Sequence, residues 1–213
     1  MAQMVTITPA DWQRLWQALQ VAPPEERYFV ALQEYYTAPE RAYHTLTHIA
    51  ECLAHLAAVT PLAEHAAALQ AAIWFHDVIY DPRRHDNEAA SAAWAATVLQ
   101  SVGVSTATIG TIQQFIEDTA HRHPPRSPDG ALLVDIDLTI LGAPPNRFAQ
   151  YETQIRHEYA WVPWPTYCQR RADLLQQFLD RPTIYQTALF QERFEDQARR
   201  NLKRSIHRLY REA

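Results

Sequence analysis

The chain has 213 residues, of which 47% are hydrophobic and 20% charged, and a formal net charge of −5. These values fit one globular domain with a sizeable core; they exclude a disordered chain and argue against a general nucleic-acid binder. Only four Gly against abundant Ala point away from tight β-turns and towards an all-α fold.

Cys52 and Cys168 are isolated, with no CxxC pair and no disulfide framework, which suits a reducing, cytoplasmic setting. No segment approaches the ~18 apolar residues of a membrane span, and the N-terminus lacks the pattern of a signal peptide. The basic residues are almost all Arg, Lys203 being the exception. Arg suits forked phosphate recognition, although a compositional bias gives the same count.

Thr8-Pro9 with Asp11 predicts a helix start, followed by Trp12, Leu15, Trp16 and Leu19 at helical spacing. Pro23-Pro24 breaks it. Glu25-Glu26 opens a second helix with Tyr28, Phe29, Leu32, Tyr35 and Tyr36 on its apolar side. After Pro39, Tyr43 to His48 lead into a third, in which His44 and His48 share a face at i,i+4. His55 and His65 read as structural. A helix apolar nearly all round is predicted from about Leu62 to Val78, and this marks it as central. It carries His76-Asp77, followed by the polar loop Asp81-Pro82-Arg83-Arg84-His85-Asp86.

Further helices are predicted from Asn87-Glu88 to about Val102, closed by Gly103, and from about Thr106 to Ala120. The stretch His121 to Gly130 reads as a loop, either a solvated connector or a flap. An apolar stretch, Leu132 to Leu141, surrounds Asp135 and Asp137, and Gly142 with the following prolines stops it. Helices over about 148–159, 166–179 (Tyr167, Leu174, Leu175 and Phe178 inward) and 190–210 complete the chain. The last has a stripe of Phe194, Ala198, Leu202, Ile206 and Leu209, opposite a basic face that reads as solvated.

Neighbouring side chains on a helix point about 100° apart. His76 and Asp77 therefore converge on one point only near a helix end or distortion. A buried carboxylate in that setting needs a partner. One upstream His, the His-Asp doublet and a distant Asp make a four-ligand set for a divalent cation. The residues alone leave open His44 or His48, and Asp135 or Asp137.

The ordered set His48, His76-Asp77 and Asp137 resembles the HD superfamily of metal-dependent phosphohydrolases, named for H…HD…D ligands on a helical bundle. The longer strings are similar to a bacterial branch described as predicted HD phosphohydrolases: Tyr43 to Ile49, Trp74 to Asp81, Asn87-Glu88 with Ser91-Ala92, and Asp135 to Leu138 with Leu141-Gly142. Further matches at Ile155-Arg156, Glu158-Tyr159, Ala198-Arg199 and Asn201-Leu202 extend the likeness over about residues 10–210.

The resemblance implies a single HD-type bundle, its metal core at about 40–142 and C-terminal helices at about 146–210 packing on it. It favours His48, which precedes the β-branched Ile49, and Asp137, which precedes a Leu-rich turn. The mixed N/O set suits Mn²⁺, Fe²⁺, Ni²⁺, Co²⁺, Mg²⁺ or Zn²⁺ with positions open for water. Expected around it are Asp81 as a proton acceptor and His121 as a phosphate or second-metal contact. Arg83, Arg84 and His85 are expected to hold phosphate, and His44, Asn87, Glu88 and Asp135 to orient ligands.

The implied activity is hydrolysis of a small phosphate ester or anhydride, a nucleotide foremost, with neither nucleic acid nor membrane as partner. An HD-type di-iron oxygenase, needing two further His from His85, His121 and His123, and a non-catalytic nucleotide sensor are the alternatives. No phosphate-binding Gly-rich loop or G-x-S-x-G elbow occurs.

Overall fold

The computed structural model describes residues 7–212, and every regular element among them is helical. The chain is all-α, as its composition predicts. It divides into two compact units, the first ending at Ile136 and the second starting at Asp137.

In the first unit, α1 (Pro9–Ala18) begins on a capping box in which the Asp11 carboxylate accepts the Thr8 N–H at 2.7 Å. Helix α2 (Glu26–Tyr36) buries Leu32 and Tyr36. Tyr35 is 39% exposed, so the apolar side is narrower than predicted; its ring meets Trp94 edge-on at 5.8 Å. Helix α3 (Leu46–Val59) starts on Thr45, whose hydroxyl accepts the Thr47 N–H.

The centre of this unit is α4 (Ala66–Phe75), which packs against α1, α3, α5 (Asn87–Ser101) and α6 (Thr106–Asp118). Its Leu69, Ile73, Trp74 and Phe75 are fully buried. Full burial of a Leu, Ile or Phe side chain contributes roughly 1.5–3 kcal/mol, and these side chains anchor α4 in the unit. Trp74 meets Trp12 at 5.3 Å and Phe75 meets Trp94 at 5.6 Å between ring centres.

Helix α4 is shorter than the predicted Leu62–Val78 at both ends. At its start, Thr60–Leu62 is a separate 3₁₀ turn. The Asp129 carboxylate, buried, accepts the N–H groups of Glu64 and His65 at 3.0 and 2.6 Å. It thereby satisfies donors that the helix leaves open.

Asp129 itself belongs to α7 (Pro128–Asp137), which starts inside the stretch predicted as loop. The reason is a cap: Ser127 accepts the Gly130 N–H on its hydroxyl (3.0 Å) and the Ala131 N–H on its carbonyl (2.9 Å). A Cβ at position 130 would lie 2.6 Å from Asp118 Oδ2, so any larger residue there would have to displace that carboxylate.

The second unit holds a 3₁₀ stretch (Leu138–Gly142), α8 (Pro145–Glu158), α9 (Trp164–Leu179), α10 (Ala188–Phe190) and α11 (Asp196–Glu212). A π-helical stretch, Gln191–Glu195, joins the last two, so the final helix begins earlier than predicted and is not uniform. Helix α8 also begins earlier, at Pro145, a residue suited to a first turn.

Leu174 is 43% exposed rather than inward, while Tyr167, Leu175 and Phe178 are buried. Arg171, buried, bonds Glu152 at 2.6 Å, and the Ser205 hydroxyl donates to the same carboxylate. Asn201 donates to the carbonyls of Leu141 and Ala143, both at 2.8 Å. Among the described residues no helix is long and apolar enough to cross a membrane.

Candidate metal centre

The site is built on the end of α4. A helix that stops leaves carbonyls without partners. Here the last turn and the residues just beyond it find partners both locally and from distant side chains. The Ile73 carbonyl accepts from His76 Nδ1 (2.9 Å), that of Trp74 from the Tyr36 hydroxyl (3.0 Å), and that of Phe75 from the Val78 N–H (3.1 Å). The carbonyls of Asp77 and Val78 accept from the Arg41 guanidinium at 2.6 and 2.8 Å.

Beyond the doublet, α5 continues the hold. Ser91 Oγ accepts the Ile79 N–H (3.0 Å) and donates to the Ile79 carbonyl (3.1 Å). The Asn87 amide does the same for Asp81, accepting its N–H at 3.1 Å and donating to its carbonyl at 2.9 Å. Asn87 and Ser91 lie one turn apart on one face. They fix the chain that leaves Asp77.

With its helix ended at Phe75, the doublet converges. His48 Nε2 and His76 Nε2 are 3.2 Å apart, and Asp77 Oδ2 is 3.0 Å from His76 Nε2 and 3.5 Å from His48 Nε2. Ligand atoms of His48, His76 and Asp137 all lie within 4.8 Å of one another, and this group could hold a metal ion.

The donors fit a cation. Atoms held about 2.1 Å from a shared ion stand about 3.0 Å apart at right angles and about 3.4 Å apart at the tetrahedral angle. A carbonyl can only accept, so His76 carries its proton on Nδ1 and presents the Nε2 lone pair inward. Both imidazoles are 2% exposed, whereas the Asp77 side chain keeps 17%, so the carboxylate side is the open one.

Burial pushes the Asp77 carboxyl up, but the imidazoles of His76, His44 and His48 outweigh it and hold the group well below the usual carboxylate range. Asp77 is ionised. Burial pushes the Tyr36 hydroxyl well above its ordinary value, so it remains a neutral donor.

The remaining predicted residues lie outside this donor group. His44 stacks on Tyr80 at 4.0 Å, and Asp135 is fully buried on α7; neither belongs to the donor group, which takes His48 and Asp137. Asp81 does not follow Asp77 along a continuing helix. It sits in a turn where its Oδ1 accepts the Arg83 N–H at 2.9 Å. Arg84 is forked onto Asp86 at 2.8 Å through two nitrogens. His85 is exposed, and its carbonyl accepts from Arg122.

His121 follows α6 in the left-handed region, with φ 54°, and its N–H donates to the Asp118 carbonyl. The segment after it is tied to α6: Arg126 N–H donates to Asp118 Oδ2 at 3.3 Å and its guanidinium to Glu117 at 3.2 Å. A cleft of about 270 Å³ lies here, lined by His85, Glu88, Glu117, Asp118, Arg122 and Arg126 among others, and none of the four predicted metal ligands lines it. Among the described residues, no further His joins the donor group. Cys52 packs its sulfur 3.7 Å from His48 Nδ1.

Sequence reasoning did not single out Arg41 or Asp129. Arg41 lies in a connector with no period to read. The apolar pattern places Tyr36 in the core, where it is, but the bond from its hydroxyl leaves no trace in such a pattern. Comparison with family models, curated proteins and solved structures finds no match for this chain.

Proposed function

We propose that the protein is a metal-dependent phosphohydrolase of the HD type, acting on a small phosphate ester or anhydride and foremost on a nucleotide. The observation that carries this reading is the convergence of His48 Nε2, His76 Nε2 and Asp77 Oδ2 to within 3.0–3.5 Å, with Asp137 in the same group as the two imidazoles. The order of those residues in the chain, and their resemblance to the superfamily's ligands, support phosphoryl chemistry over other metal-assisted hydrolysis.

In this reading His48, His76, Asp77 and Asp137 hold one divalent cation. When bound, it supplies Lewis acidity, acidifying water and polarising a phosphoryl oxygen. The Ile73 carbonyl fixes the His76 ring, and the ionised Asp77 balances charge. Water and substrate approach from the carboxylate side, which keeps its exposure. Arg83 and His85, exposed on the following loop, are the candidates to meet the phosphate, since Arg84 is committed to Asp86. The proposed setting is the cytoplasm, in keeping with two free, buried cysteines.

The test is metal analysis of protein purified without chelator, with a Mn²⁺-supplemented screen of nucleoside mono-, di- and triphosphates, cyclic nucleotides and pyrophosphate. One divalent ion per chain and phosphate release, both lost in Asp77→Ala, are expected. Wild-type protein that neither retains a metal nor releases phosphate sinks the proposal; two irons with oxygen consumption would replace it by the oxygenase.

A further inference from the structure

We propose that Arg41 is a positioning residue that sets the distance between the two chain segments bearing the imidazole and carboxylate donors; this rests on the metal-centre reading above. Its Nη1 donates to the carbonyls of His44 (3.0 Å) and Asp77 (2.6 Å), and its Nη2 to that of Val78 (2.8 Å). His44 immediately precedes Thr45, the cap of α3, and His48 lies in the first turn of that helix. Asp77 and Val78 follow the end of α4. One guanidinium therefore joins the entrance of the helix carrying His48 to the exit of the helix carrying His76.

The choice of side chain follows from geometry. Three carbonyls on two segments need donors spread over a rigid plane, which Arg has and the single ammonium of Lys lacks. The guanidinium carbon also lies over two rings, 5.0 Å from the Tyr36 centroid and 5.5 Å from that of Tyr80. Tyr80 in turn stacks on His44. The positive charge also faces carbonyls at a helix C-terminus, where a cation is favoured. Arg41 touches no donor atom of the metal group. It acts by fixing the backbone that carries Asp77 against the backbone that leads to His48. Together with the stacking of Tyr80 on His44 it ties those two segments, and without its bonds to their backbones the 3.0–3.5 Å spacing of the donors loosens.

The test compares wild type, Arg41→Lys, Arg41→Ala and Asp77→Ala for Mn²⁺ affinity, by electron paramagnetic resonance of free Mn²⁺, with far-UV circular dichroism and melting of the same samples. Arg41→Lys and Arg41→Ala are expected to stay helical and bind Mn²⁺ about ten- to a hundredfold more weakly. Methylguanidinium added to Arg41→Ala is expected to restore part of the affinity. Arg41→Lys keeps length and charge and carries the test should the Ala variant fail to fold. Wild-type Mn²⁺ affinity in Arg41→Lys, alongside loss in Asp77→Ala, overturns the role of Arg41 and leaves the metal centre standing. A lowered melting temperature with unchanged affinity overturns it equally. Absence of Mn²⁺ binding in wild type overturns the metal centre itself.

Discussion

Replacing Ser91 by Ala separates local preference from tertiary clamping, because the two predict opposite signs. Ser91 lies in an Ala-rich stretch of α5 and is fully buried. Ala is the better helix former by about 0.5 kcal/mol, so local preference alone makes Ser91→Ala stabilising. The structure argues otherwise. The hydroxyl accepts the Ile79 N–H at 3.0 Å and donates to the Ile79 carbonyl at 3.1 Å. Its removal orphans both. Ile79 is half-buried, so water reaches it poorly, and each orphan costs about 1–1.5 kcal/mol, the lower part of the usual range. After the propensity gain the net loss is about 2 kcal/mol. Unfolding entropy near 2.1 cal/mol/K per residue gives roughly 0.45 kcal/mol/K for the whole chain, or roughly 0.29 for the first unit melting alone. The melting temperature should then fall by about 4–7 °C in a circular dichroism melt. Thr97→Ala on the same helix is the control. Its exposed hydroxyl only returns to the Ala93 carbonyl, so it should leave the melt unchanged or slightly raised. A Ser91→Ala protein melting at or above wild type would refute the clamp.

Asp129→Ala removes the buried acceptor of the Glu64 and His65 N–H groups and should destabilise the first unit by about 2–3 kcal/mol in a urea titration, with Asp129→Asn losing less; equal midpoints in wild type and Ala would count against the cap. Asp118 supplies a pH test. Burial pushes its carboxyl above the ordinary value of 3.8, against the pull of the Arg126 backbone N–H and guanidinium. A carboxyl that binds its proton more tightly when folded contributes stability below the unfolded value, and that contribution is lost as pH rises through the raised one. Asp118→Asn keeps an acceptor for Arg126 but does not titrate. Its melting temperature minus that of wild type should therefore grow from pH 3.5 to 7, and a constant or shrinking difference contradicts the assignment.

What the sequence revealed follows from how local the determining contacts are. The start of α1 was legible because Thr8, Pro9 and Asp11 cap it within one turn. The end of α5 was legible because Gly103, with φ +77°, closes it. The ends of α4 were not. Asp129 is more than sixty residues from the N–H groups it caps, and Arg41 and Tyr36 more than thirty from the carbonyls they hold at the end of α4 and just past it. Tyr35 and Leu174 fit the predicted apolar arcs yet lie exposed, because an arc read from period alone has no measured width. His48, His76 and Asp137, which form a group that could hold a metal ion, were legible as part of an ordered set. The surrounding loop was less so: Asp81 and Arg84 are satisfied by groups two residues away, ordinary turn chemistry that competes with any role at the site.

The same contacts explain why a His-Asp doublet needs more than its ligands. Adjacent side chains share a focus only if the helix stops between or beside them. Stopping a helix inside a packed unit strands carbonyls, and a stranded buried carbonyl is costly. In this chain the remedy comes from Tyr36, Arg41 and the His76 ring at the break, and from Ser91 and Asn87 just beyond it. The donors and the clamps are thus one physical problem. The apolar α4 fixes where the break falls, the break lets Asp77 turn towards His76, and the clamps keep the broken end from refolding into another turn of helix. Grafting His48, His76, Asp77 and Asp137 onto another bundle without those clamps would let the helix continue through the doublet, and the carboxylate would swing about 100° away from its neighbour's imidazole.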